Sequence, residues 1–237
     1  MKSARRARAS SQAWASSATT LACRLPRAWQ DNSVLAIDSA GVVILGFLLG
    51  SFPTAYLVGR WRQGIDIRGV GSHNPGATNI GREVGIAAGI FVLAVDAVKG
   101  AIAIVVGQQI GVPTTALYFT SLAAVIGHNF SPFLGFKGGK GAATVLGISM
   151  LMLWQITVIS GAIGLLILAA TRHAVWAMTA IFLALNALTI TTGQPIGQIA
   201  LCIVLSLLVA GTHFGRQRAH LIPALASGDW RRFMSID

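Results

Sequence analysis

The fold class the sequence predicts is all-α: a polytopic integral membrane protein of about seven transmembrane helices joined by short loops. Three observations predict it. Of 237 residues, 54% are hydrophobic and 11% charged, against roughly 25% charged in an average soluble domain; mean hydropathy is +0.69. Apolar stretches of about 20 residues recur from Ile37 to Gly211, each long enough to cross a hydrocarbon core of about 30 Å. The polar residues are confined to the connections between these stretches.

Residues 1–33 differ from all that follow. They carry Lys2, Arg5, Arg6, Arg8, Arg24 and Arg27, many Ala and Ser, and no acid before Asp31. No apolar run there has the length of a signal-peptide core. The segment is expected to be a disordered tail or translation begun upstream of the true start, with a start near Val34; a transit peptide is the third reading. It is left out of the fold, and residues 34–237 are expected to form one membrane-embedded domain with a basic C-terminal tail.

Polar breaks divide the rest into spans near 37–59, 85–108, 113–135, 141–153, 155–171, 174–191 and 196–213. The stretch from Gly141 to Ala170 is interrupted only by Trp154-Gln155 and fits one long helix or two short ones. Charge decides in favour of two. With two helices, Arg60, Arg62, Arg68, Arg82, Lys137, Lys140, Arg172, Arg216, Arg218, Arg231 and Arg232 share one side, and the opposite connections carry no charge. This positive-inside pattern places the basic loops and the C-terminus in the cytoplasm. The six basic residues of the N-terminal tail run against the odd count, since they would lie outside.

The net charge of +11 comes from basic residues scattered beside apolar runs. That distribution suits anionic lipid head groups and gives no reason to expect a nucleic-acid partner. Cys23 and Cys202 match no metal or redox spacing and receive no role.

Chemistry is concentrated in the basic loops. The first contains Gly71 to Asn79, GSHNPGATN. Its glycines permit close backbone approach, Pro75 stiffens the turn, and Ser72, Asn74, Thr78 and Asn79 offer small hydrogen-bonding groups. Leading into a helix near Ile80, with Arg82 close by, such a loop forms an anion cradle. A later loop, FLGFKGGKGAAT from Phe133 to Thr144, fails the nucleotide-binding P-loop pattern at Leu134 and Gly141. It keeps a flexible backbone at Gly138, Gly139 and Gly141, with Lys137 and Lys140 suited to a phosphate. Asp96 and Lys99 lie inside the second span, three apart, where ionisable residues are rare. They read equally as a buried ion pair or as a substrate contact. His128, near a helix end, reads as a structural group. Arg172, after Thr171 at the end of a span, suits a phosphate or the interface.

GSHNPGATNIGR, AVDAVKGA and GHNFSPFLGFKGGKGAAT together closely resemble the bacterial acyl-phosphate:glycerol-3-phosphate acyltransferases of the PlsY type. The likeness runs from about Leu45 to Thr144, then more faintly to Asp237. It implies a seven-span enzyme of the bacterial inner membrane with cytoplasmic motif loops. It further implies transfer of a fatty acyl group from acyl phosphate to the 1-hydroxyl of glycerol 3-phosphate. The products are lysophosphatidic acid and inorganic phosphate, in phospholipid biosynthesis, without coenzyme A, metal or other cofactor. A monomer is expected, with membrane lipids as its other partners. Carried over by position, Ser72, Arg82 and Lys140 hold phosphate and carry catalysis. Asn74, Thr78, Asn79, Lys137, Thr171 and Arg172 bind substrate or shape its loops, supported by Asp96, Lys99, His128 and the three glycines. The resembled family's third motif has the form HRxN; here the stretch reads Gln217-Arg218-Ala219-His220, so both polar contacts at the glycerol end are changed. Gln217 is assigned to substrate binding, and His220 is a side-chain alternative to the departing phosphate as proton acceptor.

Two other classes compete with the enzyme. A transporter of anionic solutes is disfavoured because the charged groups cluster at one face. A weakened or inactive member is suggested by Gln217 and His220. Acyltransferases with an Asp five positions after a His are excluded, because none of the five histidines has that partner.

Overall fold

The structure, a computed structural model, describes residues 32–227. The expected leader, with Cys23, lies outside them apart from its last two residues. The chain separates into two units, Met1–Ile37 and Asp38–Asp237, and the packing described below is that of the second. Among the described residues there is helix and no strand.

Apolar composition sets the helices, and glycine and proline set their ends. Helix α1 covers Asn32–Ser51 and α2 covers Thr54–Gln63. The sequence predicts one span over 37–59, but the helix is interrupted at Phe52-Pro53. Pro53 lacks an N–H and its ring crowds the carbonyl four residues back, so the helix stops before it and restarts after it. A short helix α3, Ala77–Glu83, follows the first loop, and α4 covers Ile86–Ile110. Helix α5, Thr114–Asn129, ends short of the expected 135. There the chain turns through a 3-10 segment at Pro132–Leu134, since the residue before a proline is biased away from helix.

The stretch 141–170 is two helices, α6 Ala142–Met152 and α7 Trp154–Thr171, separated at Leu153. Helices α8, Ala174–Thr191, and α9, Ile196–Ala226, complete the chain. The last helix runs beyond the expected end at 213, because Arg216, Gln217 and Arg218 end the apolar run yet are good helix formers, and no proline stops the helix there. Among the described residues, five helical stretches are long and apolar enough to cross a membrane, the first being Ala36–Gln63, and α6 is a shorter apolar helix.

Helix α4 lies at the centre, packed on α3, α5 and α6, while α7 pairs with α8, and α9 joins α8 to α5. The main core joins Val42, Ile104, Val125, Val145, Ile148, Leu185 and Leu205. A smaller cluster of Ala55, Val58, Ile67, Ile80 and Val92 lies beneath the first loop. Lipid supplies little hydrophobic drive between helices, so small residues that let backbones approach carry the packing. Gly50 of α1 is such a residue: a Cβ there would collide with the carbonyl of Ala124 in α5. Outward residues such as Phe119, Leu166 and Leu183 are more than 60% exposed. An apolar exterior of this kind fits a lipid environment.

Candidate active site

Loop 1, between α2 and α3, is organised by one carboxamide. Asn79, only 1% exposed, donates from Nδ2 to the carbonyls of Ile67 (3.1 Å) and Val70 (3.0 Å), and its Oδ1 accepts from the Ser72 N–H at 3.0 Å. Of the two roles expected of Asn79, binding substrate or shaping the loop, these three hydrogen bonds serve the second. The N–H groups of Ser72, His73 and Gly76 are likewise engaged within the loop. The helix begins at Ala77, three residues before the expected point. Its first-turn N–H groups have no intrahelical acceptors, and Ala77 and Thr78 stand at the wall of a cavity.

Loop 2, from Ser131 to Gly141, lies against the end of α5. The N–H groups of Gly138 and Gly139 donate to the carbonyls of Asn129 (3.1 Å) and His128 (2.9 Å). A Cβ on Gly138 would strike the His128 carbonyl, and one on Gly139 would strike its imidazole. The paired glycines thus let this loop lie flat on α5 and set the position of Lys140.

Two arginines tie the loops together. Arg68 bonds Asp66 through Nη2 at 2.7 Å, lies over the Tyr56 ring at 5.2 Å, and donates from Nη1 to the Leu134 carbonyl at 3.0 Å. The guanidinium holds the Asp66 carboxyl below its usual range, and the carboxylate in turn raises Arg68. Arg216 of α9 donates to the carbonyls of Gly138 and, at 2.6 Å, Asn129, with Nη1 3.5 Å from Asn74 Oδ1. Asn129 also donates to Thr212, one turn earlier on α9, at 2.9 Å. Arg216, Asn129 and Thr212 have no place in the predicted site. The signal for Arg216 was a basic residue at a span end, which reads equally as a membrane anchor.

Beneath the loops, Lys99 Nζ lies 2.8 Å from Asp96 Oδ1 and donates to the Phe52 carbonyl at 3.0 Å. At the break beside Pro53 that carbonyl accepts both from the Thr54 N–H, at 3.0 Å, and from the buried ammonium. His128 Nδ1 is 3.9 Å from the same Asp96 oxygen.

These elements enclose a cavity of about 420 Å³. Its polar end is lined by Ser72, Asn74, Thr78, Arg82, Asp96, His128, Lys140, Gly141 and His213. Its apolar arm descends between α4, α8 and α9, past Leu93, Met178, Phe182, Leu183 and Leu207, to Asn186 and Ser206. From Ala174 to Asn186 the arm follows about 18 Å of helix, comparable with half of a core about 30 Å thick. Leu183 and Leu207, 67% and 65% exposed, make its outer wall. The cavity thus offers two cations and two hydroxyls at one end and a lipid-sized slot at the other.

Not every expected residue lines it. Lys137, Thr171 and Arg172 are exposed and none borders the cavity; the Thr171 hydroxyl bonds the Ile167 carbonyl (2.7 Å) and the His173 N–H (3.2 Å). Gln217 is buried and away from the cavity wall. The His220 side chain lies outside the described residues.

Known proteins share this sequence and architecture. Glycerol-3-phosphate acyltransferase 4 of Dehalococcoides mccartyi is 41% identical over 74% of this chain and 95% of its own. A glycerol-3-phosphate acyltransferase of Synechococcus sp. is 41% identical over 72% of this chain and 85% of its own. Two crystal structures of PlsY (YgiH), an integral membrane glycerol 3-phosphate acyltransferase, superpose on it. The glycerol 3-phosphate form has a TM-score of 0.71 at 32% identity, covering 80% of this chain and 92% of that one. The lysophosphatidic acid form has a TM-score of 0.69 at 31% identity, with the same coverage. Residues 40–221 match the family described as glycerol-3-phosphate acyltransferase, and this multi-pass membrane protein belongs to that family.

Proposed function

We propose that this chain transfers a fatty acyl group from acyl phosphate to the 1-hydroxyl of glycerol 3-phosphate, releasing lysophosphatidic acid and inorganic phosphate. The observation that carries the reading is the two-ended cavity, with Arg82, Lys140 and Ser72 at the head of a long apolar arm. A phosphate of each substrate fits the polar head, and the acyl chain fits the arm. Both substrates are anionic, so bringing them together costs repulsion that Arg82 and Lys140 offset in a site partly screened from water.

An acyl phosphate is a mixed anhydride with a good leaving group, which leaves the protein mainly the work of positioning and charge stabilisation. The 1-hydroxyl oxygen attacks the carbonyl carbon, forming the ester C–O bond. The C–O bond to phosphate then breaks, and phosphate departs with the electron pair. The hydroxyl proton passes to that phosphate, so the reaction requires neither an enzyme nucleophile nor coenzyme A. The one-sided basic loops support a cytoplasmic orientation in the bacterial inner membrane with seven crossings. Lys137 and Arg172 serve there as outer charges that attract anionic substrates before they dock.

Protein purified in detergent and given acyl phosphate and glycerol 3-phosphate is expected to release lysophosphatidic acid, with Arg82→Ala reduced to background. No product above that control would overturn the assignment. Acyl-coenzyme A is not expected to replace the donor, and robust turnover with the thioester would refute that part.

A further inference from the structure

The apolar arm of the cavity ends on polar groups, and its end is sharply placed. Along α8 the lining residues run from Ala174 to Asn186, and along α9 from His213 back to Ser206. Neither helix lines the cavity beyond that level. Asn186 is an amide in a helix made otherwise of apolar and small hydroxyl-bearing residues, apart from one tryptophan near its start. A polar side chain inside a span is costly, so its position carries information.

The two residues bond across the helices. Asn186 Nδ2 donates to Ser206 Oγ and to the Phe182 carbonyl, both at 2.7 Å, and Ser206 Oγ donates to the Cys202 carbonyl at 2.7 Å. The Asn186 Oδ1 is buried and takes no hydrogen bond among the described residues. Thr179, higher on the same wall, turns its hydroxyl back to the Val175 carbonyl at 2.9 Å and makes no such bridge. Hydrogen bonds like that of Asn186 to Ser206 commonly hold membrane helices together. At the bottom of a cavity the same bridge also acts as a floor.

The distance to that floor matches a lipid chain. From Ala174 to Asn186 the arm follows about 18 Å of helix, and one leaflet's half of a core about 30 Å thick is about 15 Å. A chain drawn from the bilayer already lies in an apolar medium, so each methylene taken into the arm breaks about even. Past the floor the balance changes. An added methylene must press on an amide and a hydroxyl, which it cannot satisfy, or crowd back into an arm already filled.

We propose that Asn186 and Ser206 set the upper limit on the acyl chain this enzyme accepts, by closing the arm with a hydrogen-bonded polar floor. This rests on the acyl-transfer reading above for the identity of the donor. The floor touches only the far end of the chain and takes no part in bond making or breaking.

The test uses the full chain in detergent and a series of saturated acyl phosphates lengthened two carbons at a time, with glycerol 3-phosphate saturating. Calorimetric titration with lysophosphatidic acids of the same chain lengths runs in parallel. In wild type, kcat/KM and affinity should hold roughly level with length and then fall by about 10-fold per two-carbon step, the scale of two methylenes denied an apolar contact. In Asn186→Ala the fall should begin at least one step later, so the ratio of the first excluded length to the optimum rises about 10-fold. Ser206→Ala should shift it in the same direction and by less, since the amide remains. Because the readout is a ratio between lengths, a general loss of activity does not imitate it. An unshifted fall in Asn186→Ala, with equal losses at every length, would reduce the pair to helix pairing and overturn the proposal. A wild-type profile with no fall would overturn it too, by showing that long chains leave the arm sideways past Leu183 and Leu207. If Asn186→Ala does not fold, Asn186→Ser clears space at the floor with a hydroxyl that bonds its own helix, and the same ratio decides. Wild-type protein that binds lysophosphatidic acid with the expected cut-off but does not use acyl phosphate would refute the donor and leave the floor standing. Protein that binds neither would refute both.

Discussion

Arg216 Nη2 donates to the carbonyl of Asn129 at 2.6 Å, binding the last helix to the end of α5. The other nitrogen donates to Gly138 and approaches Asn74, so one guanidinium spans three segments that meet at the cavity head. A planar fork of donors can serve several carbonyls at once, which a lysine ammonium on a flexible stem does poorly.

Arg216→Ala should therefore loosen the site before it unfolds the membrane core. Loss of two charge-assisted hydrogen bonds to backbone carbonyls is expected to cost about 2–4 kcal/mol. Arg216→Lys should recover only part of it. Melting temperature in detergent measures the stability loss, and KM for both substrates should rise together, since both loops move. An Arg216→Ala variant with wild-type melting and wild-type KM values would show that the bridge is dispensable.

A second tie joins the loops through Arg68, and it is sensitive to acid. Asp66 is held below its usual carboxylate range by the Arg68 guanidinium. A lowered folded pKa means the pair contributes fully above the unfolded carboxylate value of about 3.9. That contribution fades as pH falls through the lower folded value. Side chains about one-third exposed make the effect small. The wild-type advantage in melting temperature over Asp66→Asn should hold from neutral pH to about pH 5, begin to shrink near pH 4, and vanish only in acid strong enough to lie below the lowered folded value. An advantage that persists in strong acid would rule out the pair as its source.

Hydropathy made the helices legible, and charge asymmetry resolved the stretch from Gly141 to Ala170 into two of them, as the break at Leu153 shows. The break at Pro53 was written in the sequence too, but apolar residues on both sides hid it inside one span. The site was legible where its residues are close in sequence: Ser72, Asn74, Thr78 and Arg82 share one loop and its helix, and all line the cavity. It was not legible where function depends on register between distant segments. Arg216 meets Asn74 across 142 positions and Gly138 across 78, and no local pattern reports that. His213 was hidden for the same reason: which side of α9 faces the cavity follows from how that helix packs on α5 and α8. Lys137 and Arg172 illustrate the converse, since a basic residue in a motif loop does not reveal which way its side chain leaves the loop.

The Asp96–Lys99 pair gives the sharpest separation of stability from charge. Both side chains are under 8% exposed, and Lys99 also occupies the Phe52 carbonyl at 3.0 Å. Removing one partner leaves a buried charge uncompensated, which costs about 3–5 kcal/mol. Removing both costs less, because no lone charge remains. Lys99→Met should therefore lower the melting temperature more than the double variant Asp96→Asn with Lys99→Met does. The coupling expected between two such sites is about 1–3 kcal/mol. The double variant should still fall somewhat short of wild type, because the Phe52 carbonyl at the helix break loses one of its two donors and keeps only the Thr54 N–H. Strictly additive losses would mean that the two residues do not act as a pair, and that Lys99 holds the Pro53 break by itself.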